Sequence, residues 1–239
     1  AIELNKPILV EKPIAIDPFE FTDLAKKNTD KVLVAYNRRF YSSVLKARDF
    51  AMQKENIHAH MVLPEKVDKL SANPLDPVFR NSVHGIDILQ FIFGKLKVLN
   101  TLVNSKSEKY CGRQAWLKSE HGHTISLQMN WNSPANFSLN IEDGRERFQL
   151  LPFEKYSHFS GMEVIPATES YPARQFTPIE IESGTVFDGA CLDLKPGFLG
   201  QAQEFYNLVN TNQRGIGANL DDAHSALTLA KEICELNLS

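Results

Sequence analysis

Lys6-Pro7-Ile8-Leu9-Val10-Glu11-Lys12-Pro13, followed downstream by Val32-Leu33-Val34-Ala35-Tyr36, decides the reading of the fold. Each stretch holds a short apolar run bounded by charged or chain-breaking residues, the pattern of a buried strand. Between them Asp17 stands as an N-cap, with Pro18 at the first helical position and Glu20 at the third, a capping-box-like arrangement. Ile16 and Phe21 are placed to form a hydrophobic staple. The predicted helix turns Phe21, Leu24 and Ala25 inward and stops near Lys26-Lys27-Asn28. Strand, helix and strand at this spacing make a βαβ unit with parallel strands and a right-handed crossover.

A βαβ unit is too small to be a domain, because its two strands need neighbours and a helix layer on each face. No strand precedes Ile8 in the 239 residues. The expectation is therefore a doubly wound sheet cut in its middle, with an edge that something must cover.

Beyond Ser42 the character changes. Ser43 to Gln53 reads as a helix with Val44, Leu45, Ala47 and Phe50 on its apolar side, and Ile57 to Leu63 as a strand. Val83, Ile86, Leu89, Ile92 and Phe93 recur at helical spacing over 82–93, and Gly94 stops the helix. Trp116 and Leu117 lead into a turn at Glu120-His121-Gly122. Then Ile125, Leu127, Met129 and Trp131 alternate with Ser126, Gln128 and Asn130. Phe137, Leu139 and Ile141 alternate up to the Asp143-Gly144 turn, and Phe148 and Leu150 continue the pattern. This predicts an antiparallel meander with one apolar and one polar face. Two helices close the chain: one carries Phe198, Ala202, Phe205, Leu208 and Val209, the other, capped near Asn219, carries Leu220, Ala223, Leu227, Ala230 and Ile233.

The composition sets outer bounds. Hydrophobic residues are 43% and charged residues 23%, an ordinary globular balance. Lys+Arg number 26 against 29 Asp+Glu, a net charge of −3, so nucleic-acid binding would need a local basic patch and none is expected. No apolar run approaches the ~18 residues of a membrane span. Cys111, Cys191 and Cys234 form no CxxC pair and no disulfide framework, which suits a reducing cytoplasm. No secretory signal is visible at the start.

Glu11-Lys12-Pro13 after the first strand, Tyr36-Asn37-Arg38-Arg39-Phe40 after the second, and Ser82-Val83-His84-Gly85-Ile86-Asp87 at a helix start together resemble the Gfo/Idh/MocA oxidoreductases. The resemblance covers nearly the whole chain. It implies an α/β fold in which residues 1–40 are the C-terminal remnant of a dinucleotide-binding Rossmann domain. Residues 41–239 would then be the substrate and dimerisation domain, built on a large, mainly antiparallel open sheet. It implies hydride transfer between NAD or NADP and a sugar, polyol or related alcohol, and a homo-oligomer paired through the sheet.

Two departures stand out. The G-x-G-x-x-G turn that holds a pyrophosphate at a helix N-terminus is absent, as is the acidic residue that follows it to reach the ribose. The cofactor therefore belongs to a full-length parent, and this piece is expected to bind none and to be inactive alone. Many family members also carry Asp four residues before the helix histidine; here that position is Arg80. The rival expectation is a non-catalytic truncated or scaffold subunit that dimerises through its sheet.

From residues alone, Lys12 is a solvated lysine before Pro13. The resemblance places it beside nicotinamide and substrate, where a cation stabilises a developing alkoxide. His84, with an ordinary pKa near 6.5, suits proton transfer, and is otherwise a satisfied helix histidine. Asp87, three residues on, is placed to pair with it, and with Arg80 is assigned to substrate binding. Glu11, Pro13, Tyr36 and Arg39 are assigned to the cofactor's nicotinamide end, although Arg38-Arg39 reads equally as a solvated charge pair. His58/His60 and His121/His123 each place two rings together, but zinc takes about three or four ligands, so no metal site is expected. Phe153, Tyr156 and His158 suggest an aromatic patch of core or dimer-contact type.

Overall fold

The computed structural model describes residues 2–26, 30–66, 77–103, 112–187 and 194–235. Lys27, Asn28, Cys111, Cys191 and the side chain of Trp131, which figure in the sequence reading, lie outside this description.

The two opening runs form β1 (Ile8–Val10) and β2 (Val32–Val34), paired in parallel with Ile8 opposite Val32 and Val10 opposite Val34. All three residues of β2 are buried, while Leu9 at the centre of β1 is 40% exposed. Ala218 adds an antiparallel bridge to β2, its carbonyl accepting from Val34 N at 2.8 Å.

The single helix expected between the strands is instead a 3-10 turn, Pro18–Phe21, followed by a four-residue α1 (Thr22–Ala25). Asp17 does cap it, accepting from Phe19 N at 3.0 Å, and it also binds Lys231. Ile16 stays 38% exposed and so makes no buried staple, and Leu24 is equally exposed. With only Pro18 and Phe21 buried and no residue of α1 buried, no apolar stripe holds a longer helix against the sheet.

The second sheet has eight strands in the order β10-β9-β8-β7-β3-β6-β5-β4. They are β3 (His58–Glu65), β4 (Leu96–Val103), β5 (Arg113–Ser119), β6 (Thr124–Trp131), β7 (Ser138–Glu142), β8 (Glu146–Leu150), β9 (Lys155–Ile165) and β10 (Gln175–Thr185). Every neighbouring pair is antiparallel except β3 and β6. The sheet is thus mainly antiparallel, as expected, but it is not a simple meander, because β3 inserts between β6 and β7. Long-range insertion of this kind leaves no mark on a strand's own alternation.

The apolar face, including Ala59, Met61, Leu63, Ile125, Leu127, Met129, Leu139 and Ile141, is buried. Over it lie α2 (Ser42–Met52), α3 (Val83–Phe93) and α5 (Leu220–Glu235), which pack on the sheet and on one another. Asn219 and Asp222 cap α5 reciprocally: Asp222 N donates to Asn219 Oδ1 at 2.8 Å and Asn219 N to Asp222 Oδ2 at 3.0 Å. A π turn, Val78–Ser82, leads into α3, which ends at Gly94 with φ of 78°. Gly85 lets α3 approach β3 closely, since any Cβ there would run into the buried Leu63 side chain.

Strands β4, β9 and β10 are additions to the sequence reading. Over most of β9 and β10 neither face is covered; Met162, Val164, Phe176 and Ile181 are at least half exposed. Without one buried face there is no alternation to detect. Helix α4 (Phe198–Thr211) buries Gln201 and Leu208, whereas Phe198 and Val209, expected inside, are 46% and 48% exposed.

A buried ion pair joins the two sheets. Arg39 lies in the 3-10 turn Asn37–Phe40 that follows β2. Its Nε donates to Asp87 Oδ2 at 2.9 Å and its Nη2 to Asp87 Oδ1 at 2.6 Å; Nη1 reaches Asp222 Oδ2 and the Ile216 carbonyl, each at 3.3 Å. Arg38-Arg39 is therefore not a solvated pair: Arg39 is 5% exposed. Burial raises the Asp87 carboxyl above its ordinary value, against the charge and the hydrogen bonds of Arg39, which pull it down. Burial likewise works to lower Arg39, and Asp87 and Asp222 outweigh it and hold the guanidinium above its ordinary value. Breaking one side of such a pair costs about 3–5 kcal/mol. Asp87→Ala is expected to lower the urea unfolding free energy by about 3 kcal/mol, the low end of that range, because Asp222 still faces Arg39.

Candidate functional site

Four chain segments converge beside this ion pair: the end of β1, the end of β2, the end of β3 and the turn that opens α3. Each places a polar side chain where a strand or helix terminus leaves the packed core.

Lys12 follows β1 and is half-buried. Its Nζ donates to the Arg80 carbonyl at 2.5 Å, so β1 is tied directly to the turn before α3. Burial lowers the Lys12 pKa and Arg38 adds to this, while Glu11 and Glu65 act in the opposite sense. Lys12 is thus neither a free surface lysine nor an ordinary ion-pair partner.

His84 is 6% exposed and stands one helical turn beyond Arg80. Its ring packs edge-on against Tyr36, with centroids 5.6 Å apart and planes at 85°. Burial first, then the charges of Lys12 and Arg38, push its pKa down to about 2. The imidazole is neutral throughout the physiological range and lies within electrostatic reach of the Lys12 ammonium. Among the described residues, His84 Nδ1 and Tyr36 Oη are both buried without a hydrogen-bond partner. Two such atoms on adjoining rings leave about 1–3 kcal/mol each of unsatisfied polarity, which a polar ligand group reaching them would recover.

The other expected residues fall into two groups. Glu11 is exposed and Pro13 half-buried beside Lys12, and Arg80 presents its carbonyl to Lys12 while its side chain is exposed. Asp87 and Arg39, by contrast, are taken up with each other. Both Asp87 oxygens accept from Arg39, so Asp87 does not serve His84 as expected, and their shared task is to lock the turn after β2 onto α3.

Glu65 is the residue that sequence reasoning missed. It is 6% exposed at the end of β3. Its carboxylate accepts from Ser82 Oγ and from Asn81 Nδ2, the latter at 3.1 Å and 3.3 Å to its two oxygens. Burial raises its pKa against these donors and Arg38. The signal was present: Ala59, Met61 and Leu63 alternate inward, and the same parity carries Glu65 to the buried face. Arg38 completes the group, its guanidinium 4.9 Å from the Phe137 ring centroid.

The histidine pairs lie elsewhere. His58 Nδ1 is 2.7 Å from Thr124 Oγ1 and His60 Nδ1 is 2.8 Å from Ser126 Oγ, both cross-strand contacts. The rings of His121 and His123 are 6.3 Å apart, and among the described residues no three His, Cys, Asp or Glu side chains converge as metal ligands. A cavity of about 750 Å³ lined by Arg48, Phe91, His121 and Asp221 is separate from Lys12 and His84.

No protein-family model matches the sequence, and no curated protein matches it. Solved structures do match the fold. A dehydrogenase from Chromobacterium violaceum aligns with 98% of this chain and 70% of its own, at 16% identity and a TM-score of 0.71. A myo-inositol dehydrogenase from Corynebacterium glutamicum aligns with 98% of this chain and 72% of its own, at 19% identity and a TM-score of 0.61. A levoglucosan dehydrogenase in complex with NADH aligns with 98% and 71%, at 14% identity and a TM-score of 0.68. The chain has the fold of the Gfo/Idh/MocA dehydrogenases. In this chain the Lys12–Arg80 hydrogen bond joins the end of β1 to the turn that leads into α3 over the eight-stranded sheet.

The neutral buried His84 sets a pH dependence. In the unfolded chain this histidine takes a proton near pH 6.5, whereas in the folded chain it does so only near pH 2. Its contribution is intact above pH 6.5 and is lost as pH falls. Between pH 7 and pH 4 the wild type is expected to lose roughly 2–3 kcal/mol more than His84→Gln, read as the difference between their urea unfolding free energies.

Proposed function

We propose that this chain carries the substrate-facing part of an NAD(P)-dependent oxidoreductase acting on a sugar, polyol or related alcohol. The observation that supports it most is the Lys12 ammonium, fixed on the Arg80 carbonyl beside a neutral buried His84. A cation held at that point stabilises an alcohol oxygen as it gives up its proton. The adjoining imidazole, held neutral by its burial and by Lys12 and Arg38, offers a hydrogen bond that orients that oxygen. Arg80 and the residues around it face the substrate, and Glu11, Pro13 and Tyr36 border the nicotinamide end.

A bound nicotinamide would supply the hydride acceptor. The unpartnered Tyr36 Oη and His84 Nδ1 fit a polar group at that end, while the chain has no G-x-G-x-x-G turn to hold a pyrophosphate. The fit is therefore to part of the cofactor. The levoglucosan dehydrogenase complex supports NAD(H) as its class, and the myo-inositol dehydrogenase supports a polyhydroxylated substrate. Residues 1–40 act as the dinucleotide side and 41–239 as the substrate side. Pairing of two copies through the open sheet is favoured by Leu99, Leu102 and Trp116, all about half exposed on β4 and β5. Among the described residues no helix is long and apolar enough to cross a membrane. With Cys234 buried and unpaired, we place the protein in a reducing cytoplasm.

A second reading is a non-catalytic subunit. Arg80 favours it, since a cation stands where a carboxylate would otherwise assist His84.

The test has two arms. By calorimetry, the 239-residue chain is expected to bind NAD(P) more weakly than micromolar, and a micromolar Kd overturns the partial fit. NAD(P)H formation is then followed over a panel of polyols and sugars, using the product of the whole reading frame. Lys12→Met is expected to lose about 10²–10³-fold in kcat/KM. Turnover undiminished by that change removes Lys12 from the site, and absence of any turnover selects the non-catalytic reading.

A further inference from the structure

The turn made by Arg80, Asn81 and Ser82 is gripped from both sides. On one side the Arg80 carbonyl holds the Lys12 ammonium. On the other, Asn81 Nδ2 and Ser82 Oγ both donate to the Glu65 carboxylate. Glu65 is a buried acid whose hydrogen-bond donors here are neutral, unlike Asp87, which is matched by Arg39. A carboxylate placed in the core costs several kcal/mol unless a cation is matched to it by hydrogen bonds; Arg38 acts on Glu65 through its charge, and stability alone does not call for an acid at the end of β3.

We infer that Glu65 is the positioning carboxylate of the site: it braces the 80–82 turn so that the Arg80 carbonyl fixes Lys12, and it sets a negative charge across that turn from the ammonium. The role follows from where the acids and bases stand. The carboxylate comes from the wall opposite α3, at the end of the central strand β3, where Asn81 and Ser82 donate to it. The groups that face Lys12 are Glu11 on its own segment, Arg38 from the turn after β2, Glu65 from β3 and His84 from α3. Burial and Arg38 press Lys12 toward losing its proton; Glu11 and then Glu65 oppose them, Glu65 from inside the protein, where a charge is least screened. For catalysis this deepens the reading of Lys12 as the group that polarises the alcohol oxygen and rests on it; the electrostatic coupling itself does not.

The experiment reads the coupling without requiring turnover. The full chain is acetylated with acetic anhydride across a pH series, and modification of Lys12 is measured by peptide mass spectrometry against the exposed Lys26. In Glu65→Gln, which preserves shape and removes charge, the Lys12 midpoint is expected to fall. At a pH below both midpoints Lys12 then reacts several-fold faster than in the wild type. Glu65→Asp, which restores the charge, is expected to return the midpoint toward the wild-type value. Should Glu65→Gln fail to fold, reciprocity supplies the second measurement: Lys12→Met is expected to raise the Glu65 midpoint, followed by carbon-13 NMR of its carboxyl. An unchanged midpoint in a folded Glu65→Gln, or an unchanged Glu65 midpoint in Lys12→Met, overturns the inference. If the midpoints move and no dehydrogenase activity exists, only the functional reading falls. If they stay fixed while Lys12→Met abolishes turnover, only the role of Glu65 falls.

Discussion

The site depends on the buried fork between Arg39 and Asp87. Arg39 belongs to the turn that follows β2, and Asp87 is one turn into α3. Because both Asp87 oxygens are engaged, the fork fixes orientation as well as distance between the small parallel sheet and the helix over the large one. Asp222, at the start of α5, adds a third attachment. Beyond this junction, the ends of β1 and β2 are held to α3 and its opening turn by the Lys12–Arg80 hydrogen bond and by Tyr36 packing on His84.

With the sheets so joined, the chemistry follows from charges in a poorly hydrated corner. Lys12 and Arg38 bring positive charge, Glu65 brings negative charge, and His84 is forced neutral by its burial and by the two cations. The close approach that creates this corner comes from Gly85, whose missing side chain lets α3 sit on Leu63 of β3. A bulkier residue there would move His84 away from the end of the strand and loosen the contact between the 80–82 turn and Glu65.

How far the sequence discloses such an arrangement differs from element to element. The apolar triplets Ile8-Leu9-Val10 and Val32-Leu33-Val34 are short and sharply bounded, and they form the parallel pair they predict. The alternation through Ile125, Leu127 and Met129 likewise marks β6 and its buried face. The helix after Asp17 is shorter than its cap suggests, since capping starts a helix but only packing extends it. Strands β9 and β10 lack a one-sided apolar pattern because over most of their length both faces are open. At the site, Lys12 and His84 stood out through their motifs, whereas Glu65 did not, although its parity on β3 placed it inside.

What the sequence by itself determined is local: that the runs of β1, β2, β3 and β6 become strands, where α2 and α3 start and stop, where α5 starts, and which side of each faces the core. Those features follow from periodicity and capping, which act over a few residues. What only the tertiary structure decided is pairing: β3 between β6 and β7, Asp87 with Arg39 in place of His84, and Lys12 with the carbonyl of Arg80. Those choices depend on desolvation and on charges brought together from distant parts of the chain. The cost of a buried charge is set by its neighbours in space, which no spacing along the sequence specifies.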